Sequence, residues 1–383
     1  MRKMLVGCLL TITMVFTGTA SGLAADTIKI GFNTPLTGFA ASDGKSCSEG
    51  AKLAVNQINA AGGVLGKQLE LVVYDDQAKP AQAIPIANKL IGKDKVALGI
   101  SGSYSGATRS AAGVYQENQV PFISAYAIHP DITRAGDYVF RTSFLGEVQG
   151  KAGAKLIGEL MGKKKVVMIT LQNDFGKSLA AGFKSVAEQF GVTIVNEYQY
   201  AIKDRQFGAM VAKVKADAPD AIYASGYYFT AGPLVSQLRA AGVTAPVIGQ
   251  EGYDSQKFIE IAGEAAEGVI ITTSLDRDST VAETADFIAA FEKQAGFKAD
   301  MVAASGHTAV KVAAAAIAKA GSTDPKALRD AIAAVRIKVS TGEIHFNALG
   351  EVLKAVQIQV VKDGNWHHYA VIEDEALLAP PNN

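Results

Sequence analysis

The sequence predicts an α/β protein of two similar lobes, each a parallel sheet with helices on both faces, joined by a three-segment hinge. Three observations predict it. Strand and helix patterns alternate from residue 27 to 142. The same alternation restarts at 146 and runs to 272. After about 273 it stops, giving way to helical patterns and then short β-like pieces at the end of the chain. Alternation of this kind implies parallel sheets covered on both faces. Two βα series imply two lobes.

Residues 1–25 come first and stand apart. Arg2 and Lys3 precede an apolar run at 4–16 and the small residues 17–25. That pattern is a secretory signal peptide, because the apolar run is shorter than the roughly 20 residues a bilayer requires. No later stretch reads as membrane-spanning, so the remaining chain of about 358 residues is expected to be exported and soluble. Without Arg2 and Lys3 it has 35 basic and 37 acidic side chains, a net charge near −2. Near-neutrality argues against nucleic acid as a partner. Of the two cysteines, Cys8 leaves with the signal and Cys47 has no partner for an internal disulfide. Cys47 therefore reads as a small buried apolar residue, and stability must come from the core.

In the first series, 27–33 is a strand, 44–59 a helix stopped by Gly62-Gly63, 69–74 a strand and 81–91 a helix. The strand 96–100 then runs into Ser101 to Ser105 just before a helical pattern, and the strand 121–124 opens a second small-residue turn. Hydroxyls and free backbone N–H groups thus gather at a helix N-terminus, where an anion is favoured. Ligands of parallel sheets sit beyond the carboxyl ends of strands, so these two turns read as half of a cleft. A strand at 138–142 closes the series.

In the second series, helices at 146–161, 176–190, 207–215, 231–241 and 254–262 alternate with strands at 165–170, 193–198, 221–224, 247–248 and 269–272. Polar or aromatic residues follow several of these strands: Phe175, Tyr227 and Tyr228, and Gln250-Glu251-Gly252. A carboxylate in a desolvated cleft is costly without a cation, so Glu251 is either a ligand-facing group or a solvated loop residue. Tyr227 is either a cleft or a core residue. Helices then dominate 281–335, followed by β-like pieces at 343–346, 355–361 and 366–370. The predicted division is residues 26–143 plus 274–354 for lobe 1 and 144–273 plus 355–383 for lobe 2.

Enzyme signatures are missing. Gly44-Lys45-Ser46 lacks the upstream glycine of a phosphate-binding loop, that position being Phe39. The span 102–106 fits neither a dinucleotide fingerprint nor a nucleophile elbow. His129, His307, His345, His367 and His368 show no metal spacing. No cofactor and no catalysis are expected.

The chain resembles the periplasmic leucine/isoleucine/valine-binding proteins that feed ABC importers, which have the type I periplasmic-binding fold. The resemblance spans nearly all of the mature chain. It is carried by 27–31 (TIKIG) with 35–38 (PLTG), 50–51 (GA) through 59–64 (NAAGGV), 74–76 (YDD), 141–142 (RT), 174–176 (DFG), 226–227 (GY), 238–242 (LRAAG), 249–252 (GQEG) and 262–268 (AGEAAEG). It implies that Ser105 and the turn of Tyr126, Ala127 and Ile128 hold a ligand carboxylate. It further implies that Tyr227 and Glu251 hold an ammonium and that Phe175 closes over the ligand side chain. Three departures accompany it: Ile128 replaces a threonine, Tyr126 is bulkier than the usual alanine, and Asp43 stands where an aromatic is usual. The family's cleft disulfide is missing as well. The resemblance implies an amino-acid ligand, branched-chain or otherwise aliphatic, a membrane permease as partner, a periplasmic location and a monomer. The alternatives are an amide, urea, γ-amino acid or aromatic carboxylate, or a ligand-sensing subunit of a membrane receptor.

Overall fold

The structure, a computed structural model, describes residues 27–380. The signal segment lies outside the described residues. In chain order the first series is β1 (Ile28–Thr34), α1 (Ala41–Ala60), β2 (Leu69–Asp75), α2 (Pro80–Lys89), β3 (Leu98–Ser101), α3 (Ser105–Glu117), β4 (Phe122–Ser124) and β5 (Val139–Arg141). Its strands form an all-parallel sheet in the order β2-β1-β3-β4-β5. Every residue of β1 except Lys29 is buried, because helices cover both faces.

The second series is α4 (Gly146–Lys155), β6 (Lys165–Leu171), α5 (Asp174–Val186), β7 (Thr193–Tyr200), α6 (Gly208–Asp217), β8 (Ala221–Ala224), α7 (Tyr228–Ala240), β9 (Val247–Gly249), α8 (Gln256–Ala262) and β10 (Ile270–Thr273). There follow α9 (Ala282–Ala295), α10 (Met301–Ala320), α11 (Pro325–Ala333), β11 (Ile337–Val339), β12 (Gly342–Ile344), β13 (Val356–Lys362), β14 (Asn365–Ile372) and α12 (Glu375–Leu378). The second sheet has the order β14-β13-β10-β9-β8-β6-β7; β13 is antiparallel to both its neighbours, so β13 and β14 form a hairpin at the edge of this sheet. The strand β11 lay within no predicted element; it pairs only with β12 and carries too short an apolar pattern to be read.

Three connections pass between the sheets: 142–145 after β5, 274–281 after β10 and 345–355 before β13. Between the second and third, α10 returns to the first sheet and lies on α1. The contact is backbone to backbone. A Cβ on Gly50 would stand 2.0 Å from the Ala303 carbonyl oxygen, and one on Gly306 2.3 Å from that of Cys47. Cys47 is buried and unpaired. Asp300 caps α10 by accepting from the Ala303 N–H at 2.8 Å. By length and composition α10 could cross a bilayer, against the sequence reading, but most of it is buried in the core.

The predicted helix at 146–161 keeps α geometry only to Lys155 and closes with a wider turn over Leu156–Leu160. The helix read as 231–241 starts three residues earlier, where the Tyr227 N–H donates to Thr230 Oγ1 at 3.1 Å.

Candidate functional site

Each wall of the cleft begins at the carboxyl end of a parallel strand. Asp43 lies in the first turn of α1, Ser105 opens α3, and Tyr126 and Ala127 follow β4. From the second sheet, Phe175 sits in the first turn of α5, Tyr227 follows β8, and Glu251 follows β9. All seven line one cavity, together with Tyr104, Gly252, Met301 and Val302. Strand direction explains the convergence: side chains at the carboxyl ends of two facing parallel sheets meet between them.

Ile128 does not line this cavity. Its side chain is fully buried and reaches toward Gly146, where an added Cβ would come within 2.9 Å of Ile128 Cδ1. Its contribution is instead the backbone N–H, which donates to Ser105 Oγ at 3.3 Å. The serine hydroxyl keeps its own proton for another acceptor.

The two carboxyl groups set the electrostatics. Glu251 is 3% exposed, and one of its oxygens, Oε2, has no hydrogen-bond partner among the described residues. Desolvation pushes its pKa up to about 8, with Lys354 as the largest opposing influence. Lys354 is driven the other way, down to about 7, by its own desolvation. Its Nζ sits 4.8 Å from the centre of the Phe144 ring and has no hydrogen-bond partner among the described residues. Asp43 is likewise pushed up to about 8 by burial, the hydrogen bond from Tyr104 opposing and the nearby Asp300 and Asp254 reinforcing. Burial thus favours the protonated form of Asp43 over the extra negative charge its identity suggests.

Aromatic rings close the cleft. Tyr104 from the first sheet and Tyr227 from the second are stacked at 4.1 Å with 2° between their planes, and Phe175 stacks on Tyr227 at 4.8 Å. The Tyr104 hydroxyl donates to Asp43 Oδ2 at 2.7 Å. Tyr104, Lys354, Met301 and Val302 were not singled out by sequence reasoning. Tyr104 lay within the turn identified there, whereas the other three reach the site only through the chain's later crossings. Among the described residues no group of three or more His, Cys, Asp or Glu could hold a metal.

This arrangement offers a hydroxyl donor from the first series and a buried carboxyl from the second in one cavity. The sequence profile of the periplasmic binding protein family matches residues 27–365. The chain belongs to that family. It is accordingly a solute-binding protein and not an enzyme. It is 33% identical over 356 residues to the leucine-, isoleucine-, valine-, threonine- and alanine-binding protein of Pseudomonas aeruginosa, covering 92% of this chain and 94% of that one. Among solved structures it is similar to the branched-chain amino acid transporter substrate-binding protein of Streptococcus pneumoniae in complex with isoleucine. There the TM-score is 0.85 at 30% identity, over 90% of this chain and 99% of that chain. It is also similar to an ABC-transporter solute-binding protein from R. palustris in complex with benzoate, with TM-score 0.82 at 26% identity over 91% and 98% of the two chains.

Proposed function

We propose that this protein is the periplasmic solute-binding component of an ABC importer, binding an aliphatic amino acid between its lobes and presenting the closed form to a membrane permease. One observation carries the reading: Glu251, whose buried Oε2 has no hydrogen-bond partner among the described residues, lines the same cavity as Ser105 and Ala127. A ligand ammonium satisfies the carboxyl, and its carboxylate takes the Ser105 hydroxyl and the turn after β4. The binding relatives from P. aeruginosa and S. pneumoniae support the same ligand class.

The proposed lobes are 26–143 plus 274–354 and 144–273 plus 355–383, acting as a monomer. Ligand contacts to both lobes favour the closed form over the open one. Replacing Glu251 by Ala should weaken amino-acid binding by more than about 2 kcal/mol, the scale for removing one partner of a buried charge pair. Calorimetry that finds the affinity unchanged would refute the ammonium site.

A second reading is favoured by the stacked rings of Tyr104, Tyr227 and Phe175 and by the benzoate-bound relative: an aromatic carboxylate as ligand. A thermal-shift screen separates the two, since ligands that bind only the folded state raise its melting temperature. Stabilisation by benzoates with none by amino acids would select the second.

A further inference from the structure

The cleft is small. Its empty volume is about 310 Å³, at the lower end of the roughly 300–1,000 Å³ of ligand pockets. Two rings take up the space beside the Ser105 and Glu251 positions, and both are pinned by their hydroxyls. Tyr126 donates to the Gly102 carbonyl at 2.9 Å, and Tyr104 donates to Asp43 while stacking on Tyr227. Tyr126 also packs edge-on against Tyr104, with ring centres 6.4 Å apart. A pinned ring cannot swing aside for a branched side chain without losing its buried hydrogen bond.

A carboxyl, that of Asp43, adjoins these rings. Tyr104 holds only one of its oxygens, and the residue lines the cavity. An alkyl group set against that carboxyl would leave it desolvated and unpaired, whereas a hydroxyl group restores a hydrogen bond.

We propose that Tyr104, Tyr126 and Asp43 form a short polar side-chain subsite that selects small hydroxyl-bearing amino acids over leucine and isoleucine. The proposal rests on the amino-acid reading given above and replaces its aliphatic side chain with a small hydroxyl-bearing one. Tyr126 sets the length of the subsite, and Asp43 sets its polarity.

Calorimetry on the ligand-stripped protein with serine, threonine, alanine, leucine and isoleucine tests it. Serine or threonine should bind at least tenfold more tightly than leucine. Tyr126→Ala should raise leucine affinity at least tenfold, while Tyr126→Phe, which keeps the ring, should not. The Ala variant strands no acceptor, because the Gly102 carbonyl also receives the Thr34 hydroxyl at 2.6 Å. Asp43→Ala should abolish the preference for serine over alanine. Leucine outranking serine in the unaltered protein would overturn the subsite while leaving the amino-acid reading intact, and so would a Tyr126→Ala variant with unchanged leucine affinity. Binding of benzoate or short amides with no amino acid bound would remove the amino-acid reading and this proposal with it.

Discussion

Asp43 and Glu251 carry the clearest residue-scale consequences, because burial raises the pKa of both carboxyls. A carboxyl whose folded pKa is raised binds more protons in the native state than in the unfolded one. The stability contributed by these two groups is therefore fully present below about pH 4, is lost as pH rises toward about 8, and levels off above. Each group contributes a slope of up to about 1.4 kcal/mol per pH unit within that window. Asp43→Asn, which is neutral at every pH, should flatten the urea-midpoint profile between pH 5 and pH 8. An unchanged profile would show that Asp43 is ionised in the folded protein. Ligand binding should have the opposite dependence. An ammonium requires ionised Glu251, so calorimetric affinity should rise as pH increases from 6 to 8. Sequence alone marked Asp43 as unusual, but it could not supply the protonation state, which depends on Tyr104, Asp300 and Asp254 being brought beside it from distant parts of the chain.

Among the elements, the crossing of α1 and α10 is the most constrained. Gly50 lies against the Ala303 backbone and Gly306 against that of Cys47, so neither position has room for a Cβ. Gly50→Val should force the helices apart and cost about 1–3 kcal/mol, the usual range for overpacking; chemical denaturation would read it. A wild-type midpoint would mean that the crossing relaxes freely. The helices themselves were legible because their apolar periodicity is local. Their partnership was not, since about 250 residues separate Gly50 from Gly306 and no local pattern encodes which helix meets which. The strand β11 was missed for a related reason: three residues pairing only with β12 owe their conformation to a neighbour rather than to their own propensity.

For the molecule as a whole, the crossings are tied together by buried charge. Arg141, just before the first crossing, donates through Nε to Glu351 at 2.9 Å, and Glu351 sits in the third. The guanidinium also donates to the carbonyls of Ala127 and His129, at 2.9 Å and 2.8 Å. The pair therefore braces both the hinge and the turn that borders the ligand cavity. Removing one member leaves the other buried and uncompensated, which typically costs about 3–5 kcal/mol. Glu351→Gln should lower stability by that order in urea denaturation. It should also weaken ligand binding through the Ala127 turn, and retention of both properties would show that the pair is dispensable. Across the cleft, the Tyr104–Tyr227 stack and the Tyr228 hydroxyl on the Phe39 carbonyl join the two sheets. Tyr104→Ala should accordingly shift the ligand-free population toward an open form, seen as a larger radius of gyration in small-angle scattering.

The sequence by itself determined the two βα series, the return of the late helices and the family, because periodicity, turn residues and ordered motifs are short-range signals. It also singled out seven of the residues that line the cavity. Only the tertiary structure decided that Ile128 serves through its backbone, that burial raises the Asp43 pKa, and that Tyr104 and Tyr126 narrow the cleft. Those properties arise from desolvation and close packing between segments far apart in the chain, and no stretch of sequence contains them.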